Sequence, residues 1–113
     1  MEFDQFSVAL LVLRDDAPKL EEPAAGELQD AHMAHLASLH ESGFAVAGGP
    51  LRHDMFRGLT LFTVDAEEAR RLAEADPAVV AGRFRVEVLP WLVPSGAMSF
   101  HSTYFPRSRA DVS

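Results

Sequence analysis

ELQDAHMAHLASLHESG, residues 27–43, is the stretch on which the fold depends. Leu28, His32, His35, Leu36 and Leu39 fall on one stripe at helical spacing, and Gly43 is a natural terminator. The segment reads as one amphipathic helix, and strands read on either side of it. Before it, FSVALLVLR (residues 6–14) is nearly all apolar, as a strand covered on both faces would be. Residues 15–26 are a loop in which Pro18 and Pro23 oppose regular structure. After it, FAVAG (residues 44–48) is a short strand, and GGP (residues 48–50) turns the chain.

Residues 51–58 read as a loop leading into GLTLFTV (residues 58–64), a third strand. Thr60, Phe62 and Val64 face one way there, and Leu59, Leu61 and Thr63 the other. DAEEARRLAEA (residues 65–75) reads as a second helix, with Asp65 in the cap position and Glu68 three residues later. Ala69, Leu72 and Ala73 form its inner stripe. PAVVAG (residues 77–82) is a further short turn of helix. RFRVEVLPWLV (residues 83–93) is the fourth strand, Phe84, Val86 and Val88 alternating with Arg83, Arg85 and Glu87. The order is β-α-β-β-α-β. An antiparallel four-stranded sheet with both helices on one face, the ferredoxin-like α+β plan, is the natural way to bury both helical stripes. Residues 1–113 then form one domain with its core at about 6–93 and an irregular tail from residue 94. In that tail Phe100, Tyr104 and Phe105 are expected to pack on the domain or on a partner, and the last residues to be loose.

The 113 residues suffice for one modest core, and 48% apolar with 24% charged residues is ordinary for a globular protein. The net charge of -7 argues against nucleic acid or an anionic membrane as partner, since both demand a concentrated basic surface. Without cysteine there is no disulfide, thiolate metal site or cysteine nucleophile. MEFDQFSVALLVLRDD at the start lacks a basic n-region, so a cytoplasmic location is expected. The uncovered sheet face and the nearly continuous apolar first strand favour a homodimer, sheet against sheet.

His32 lies between Leu28 and Leu36 on the helical stripe, at least partly buried. A lone histidine in that position is more often a satisfied core group than a reactive one. Asp76 falls on the inner stripe of the second helix, pointing towards the first. It is also placed to cap the short turn that begins with Pro77, where a missing N–H costs nothing. The roles are compatible: one oxygen can cap while the other meets a histidine, His32 or His35. A His-Asp pair of that kind serves as a general base, the carboxylate fixing the tautomer. A metal is not expected. The position four after His32 is Leu36, and His32, His35 and Asp76 together are short of ligands. His40 lies towards the helix margin. Arg52, His53, Asp54 and Arg57 read as a solvated loop, with a ligand-gathering lid as the other possibility. No P-loop lysine, dinucleotide fingerprint or GxSxG elbow is present, and no cofactor is expected.

HMAHLASLHESGFAVAGGP (residues 32–50), EEARRLAEADPAVVAG (residues 67–82) and RFRVEVLPW (residues 83–91) resemble the YCII-related, or YciI-like, family. The resemblance covers roughly residues 6 to 93. It implies a ferredoxin-like domain that dimerises through its sheets as a dimeric α/β barrel. It also implies a site made from the helix histidine and the Asp-Pro aspartate, which fall on His32 and Asp76 and so favour His32 over His35. Most members have no assigned reaction. One related protein is described as removing chloride from a hydroxylated ring, which implies lyase or isomerase chemistry on a small enolisable or phenolic molecule. Two positions depart from the pattern. Gln29 stands where many relatives carry arginine, and Ala78 replaces a common aromatic, implying a roomier or differently packed pocket. The competing expectation is a non-catalytic dimer that binds a small polar or aromatic molecule or uses the pair as a brace. Monooxygenase-like chemistry rests on fold alone and ranks last.

Overall fold

The computed structural model describes residues 1–112. Four strands, β1 (Phe3–Leu13), β2 (Ala45–Pro50), β3 (Phe56–Phe62) and β4 (Phe84–Pro94), form one antiparallel sheet in the order β2-β3-β1-β4. Between them lie α1 (Ala24–Glu41), α2 (Ala66–Glu74) and the single turn α3 (Pro77–Val80). The β-α-β-β-α-β order holds, with α3 as an addition to the second helix.

Strand β1 is apolar on both faces because it is central, paired with β3 on one side and β4 on the other. Its odd-numbered side chains Ala9 and Leu11 join Phe62, Phe84, Val86, Leu39 of α1, and Ala69 and Leu72 of α2 in one buried cluster. Both helices therefore cover the same face. Ser7, fully buried in this strand, donates its hydroxyl to the Val64 carbonyl at 2.7 Å and leaves no polar group unpaired.

The opposite face carries a smaller cluster of Phe6, Leu61 and Val93. Part of the tail lies against it, with Met98 on the cluster and the Phe100 ring edge-on to Phe6 at 5.6 Å. Trp91 and Leu89 stand opposite Phe6 and Val8 in register and so share this face. They remain 44% and 55% exposed, respectively.

Three boundaries differ from expectation, each for a local reason. Helix α1 begins at Ala24 rather than Glu27, directly after Pro23. A proline loses nothing there, because the first N–H groups of a helix have no intrahelical partner. Strand β2 runs on through Gly48 and Gly49 to Pro50, paired with β3, instead of turning at Gly48. It is an edge strand, where proline is tolerated. Strand β3 begins at Phe56, inside the expected loop, and carries an irregularity: Leu11 pairs with Gly58 but Val12 with Phe56, leaving Arg57 as an extra residue.

The tail is also anchored further than expected. A 3-10 turn at Arg109–Asp111 docks on α1. Arg109 donates to Asp30 through its backbone N–H at 2.8 Å and its Nε at 3.1 Å, and Arg107 pairs with Glu41. The Arg109 side-chain hydrogen bond holds the Asp30 carboxyl below the usual aspartate range. Gly26 makes room for this contact: a Cβ at that position would lie 2.3 Å from the Arg109 guanidinium. Docking thus reaches Asp111, but Tyr104, expected to pack on the domain or on a partner, does not pack on the domain and is 99% exposed.

Candidate functional site

Helix α2 starts at Asp65, whose side chain accepts the Glu68 N–H at 2.9 Å, and ends at Glu74. The chain then leaves helical geometry at Asp76 (φ -59°, ψ 129°) and resumes it at Pro77. Asp76 is therefore the N-cap of α3, and its Oδ1 accepts the Ala78 N–H at 2.9 Å. Its other oxygen, Oδ2, lies 2.6 Å from Nδ1 of His32 on α1. Asp76 is only 4% exposed, so this is a buried carboxylate with both oxygens hydrogen-bonded. The two roles that the sequence allows coexist in one side chain.

The pairing defines the imidazole. An ionised carboxylate only accepts, so His32 Nδ1 carries the proton and donates it to Asp76. In the neutral imidazole Nε2 then keeps its lone pair. Among the described residues Nε2 has no hydrogen-bond partner, yet no buried side-chain nitrogen or oxygen is unsatisfied. Nε2 is therefore accessible. His32 lines a cavity of about 950 Å³ on the helix-covered face of the sheet. That is at the upper end of the range for small-molecule sites. Met33 and Leu36 of α1 form one wall, Leu11, Thr60 and Phe84 the sheet side, Gly48 and Gly49 the edge, and Phe105 the tail side. Gly48 keeps the cavity open there, since a Cβ would sit 3.4 Å from Leu36 and 3.3 Å from the Thr60 hydroxyl.

Three of the other four histidines, His35, His40 and His53, hold local structure, and His101 is exposed. His35 Nε2 is 2.9 Å from the Leu72 carbonyl and ties α1 to α2. His40 donates from Nδ1 to the Ala45 carbonyl at 2.8 Å, so its Nε2 accepts the Thr103 N–H at 3.3 Å. Its ring stacks on Phe105 at 4.0 Å, which makes His40 an anchor of the tail. His53 Nδ1 accepts the N–H groups of Met55 and Phe56, each at 3.0 Å, and shapes the loop before β3. His32 and His35 do not converge, and among the described residues no group of three or more histidine or carboxylate side chains is placed to hold a metal.

The charged loop divides. Arg52, His53 and Asp54 are exposed, in keeping with a solvated loop, whereas Arg57 is half-buried and lines the cavity. Arg83, which alternation places among the outward residues of the fourth strand, lines it too. Its guanidinium carbon stands 5.1 Å from the Phe84 ring centre, and the His32 ring is edge-on to the same phenyl at 6.4 Å. Neither arginine is marked by a motif, and no sequence signal shows the tail as a cavity wall. Beside buried Ala78 lies a second space of about 160 Å³, bounded also by Leu20, Leu28 and Gln29.

A family model described as the YCII-related domain matches residues 8–92, a span that includes both His32 and Asp76. No curated protein gives a significant match.

Proposed function

The chain belongs to the YCII-related domain family, and we propose that its His32–Asp76 pair is a general base acting on a small enolisable or phenolic molecule. The observation that supports this is the division of the imidazole: Nδ1 is held by a buried carboxylate, while Nε2 has no partner among the described residues and His32 lines a cavity. A base in that state takes a proton from a phenol or an acidic C–H without any cofactor. Asp76 keeps the reactive tautomer and stabilises the imidazolium that forms, without itself becoming protonated. If a leaving group such as chloride then departs from the resulting anion, the reaction is that of a lyase. If the proton returns to a different atom, it is that of an isomerase.

The test works with generic probes of both reactions. Chlorinated hydroxybenzenes are screened for chloride release, and enolisable keto acids for C–H exchange in D2O by NMR. Substitution of His32 by Gln is expected to lower whichever rate is found by about 10²–10⁴-fold. A variant that reacts as fast as wild type sinks the reading. A non-catalytic reading has its own support, because the pair also braces α1 against α3 and caps the latter. It is separated from catalysis by the Asp76 variant with which the Discussion begins.

The partner we propose for the open sheet face is a second copy of the chain, sheet against sheet as in a dimeric α/β barrel. Trp91 and Leu89 stand beside Phe6 there, half-exposed and apolar, as an isologous contact requires. Sedimentation equilibrium is expected to give a dimer for wild type and a monomer for Trp91→Glu. A wild-type monomer at high micromolar concentration removes this part of the proposal.

A further inference from the structure

The chain carries ten lysines and arginines against seventeen acids, and most of its arginines find a carboxylate. Arg14, Arg70, Arg71, Arg85, Arg107 and Arg109 all sit in ion pairs. Among the described residues Lys19, Arg52, Arg57 and Arg83 do not. Two of these four, Arg57 and Arg83, are half-buried and line the same cavity as His32. No aspartate or glutamate among the described residues lines that cavity.

The backbone brings them there. Counting back from Phe62 in strict alternation would put Arg57 on the open side of the sheet. The extra residue in β3 breaks the alternation, so Arg57 falls on the same side as Gly58, facing the helices. Its guanidinium donates only to the Asp54 carbonyl, at 3.2 Å. Arg83 follows Gly82, whose φ of +82° makes the bend into β4. Register places both arginines towards the same end of the sheet, Arg57 beside Leu11 and Val12 in β3 and Arg83 beside Arg14 just before β4, so their backbones lie roughly 12 Å apart at the usual strand spacing and rise. Two arginine side chains converge on one group across such a span. Arg83 and His32 both approach the Phe84 ring, which keeps cation and base within the length of one small molecule.

We infer that this cavity takes a small organic anion with an apolar body, its anionic group held by Arg57 and Arg83 while its acidic hydrogen faces His32 Nε2. Leu11, Met33 and Leu36 supply the apolar surround. Half-buried guanidinium groups without carboxylate partners are satisfied by an acceptor-rich anion, and charge-assisted bonds of this kind are the strong ones. The inference rests on the general-base reading for the direction of the acidic hydrogen. The anion site itself does not.

The probes are 4-hydroxybenzoate, phenyl phosphate and the neutral 4-hydroxybenzamide, titrated into the full-length protein by calorimetry without turnover. At least one anion is expected to bind ten-fold or more tightly than the amide, and the tighter one identifies the group as carboxylate or phosphate. R57Q and R83Q are each expected to weaken anion binding about ten-fold while leaving the amide unchanged, which also reports that they are folded. R52Q, on the exposed loop, is expected to bind like wild type. Equal affinity for anion and amide, no anion binding at millimolar concentration, or full anion affinity in both R57Q and R83Q overturns the inference. If anions bind through the arginines but no His32-dependent turnover exists, the base reading fails and the site stands. If turnover exists with no preference for anions, the site fails and the base stands.

Discussion

Asp76→Asn will leave the fold standing and take the lone pair of His32 out of the cavity. Asparagine is as good an N-cap as aspartate, so its Oδ1 keeps the Ala78 N–H bond. That bond fixes the orientation of the amide, because a flip would set the NH2 group against the Ala78 N–H, donor to donor. The NH2 group then faces His32 Nδ1, which has to become the acceptor. The proton moves to Nε2, and the base has nothing to take a proton with. The proton-transfer rate is expected to fall by about 10²–10⁴-fold. Stability is expected to change by no more than about 1 kcal/mol, the scale of one exchanged hydrogen bond. Nitrogen-15 shifts of the His32 ring check the cause directly, with Nδ1 protonated in wild type and Nε2 protonated in the variant. The same tautomer in both proteins would end the argument. Asp76→Ala separates the structural role: it loses the cap and strands the Nδ1 proton, at a cost of about 2–4 kcal/mol. A protein in which Asp76→Asn reacts normally while Asp76→Ala unfolds is one that uses the pair only as a brace.

This double use of Asp76 marks how far the sequence can be read. The cap is visible because Asp-Pro has a local meaning, and the inner stripe of α2 gives the direction towards α1. The helical stripe brings His32 and His35 to the same face but does not separate them. What separates them is a matter of ångströms: His35 meets the Leu72 carbonyl near the end of α2, and His32, one turn earlier, meets Asp76. The strand patterns of β3 and β4 are legible from the alternation that a two-sided sheet imposes, and β1 from the continuous apolar run of a central strand. Alternation fails where the backbone departs from period two. Arg57 reads as loop because a bulge has no signature in a charged segment, and β2 reads as ending at its glycines because edge pairing alone carries it to Pro50. The tail shows the opposite limit. FHSTYFPRSRADVS has no period at all, and its docking depends on single contacts with residues far away in the chain, such as Phe105 on His40 and Arg109 on Asp30.

Phe84→Ala will destabilise the protein far more than Asp76→Asn does. The ring is 8% exposed and lies in the main buried cluster with Leu11, Leu72 and Ala78. Removing a ring from such a position costs about 3–5 kcal/mol through lost burial and the cavity left behind. That is a large share of the roughly 5–15 kcal/mol of a typical domain. Urea unfolding measures it, and a loss below about 1 kcal/mol would mean the site collapses freely and Phe84 is not a core residue. Phe84→Leu keeps most of the volume and is expected to cost less than about 1.5 kcal/mol. Yet it removes the ring face over which Arg83 lies and the ring that meets His32 edge-on. In Phe84→Leu the anion affinity is therefore expected to fall about three-fold or more, while the His32–Asp76 tautomer is unchanged. The reason is the order of support in this molecule. Asp76 holds His32 from behind, through the helices, whereas Phe84 holds Arg83 from below, through the sheet. The base and the cation are thus set by two different parts of one core, and a substitution in either part moves one without the other.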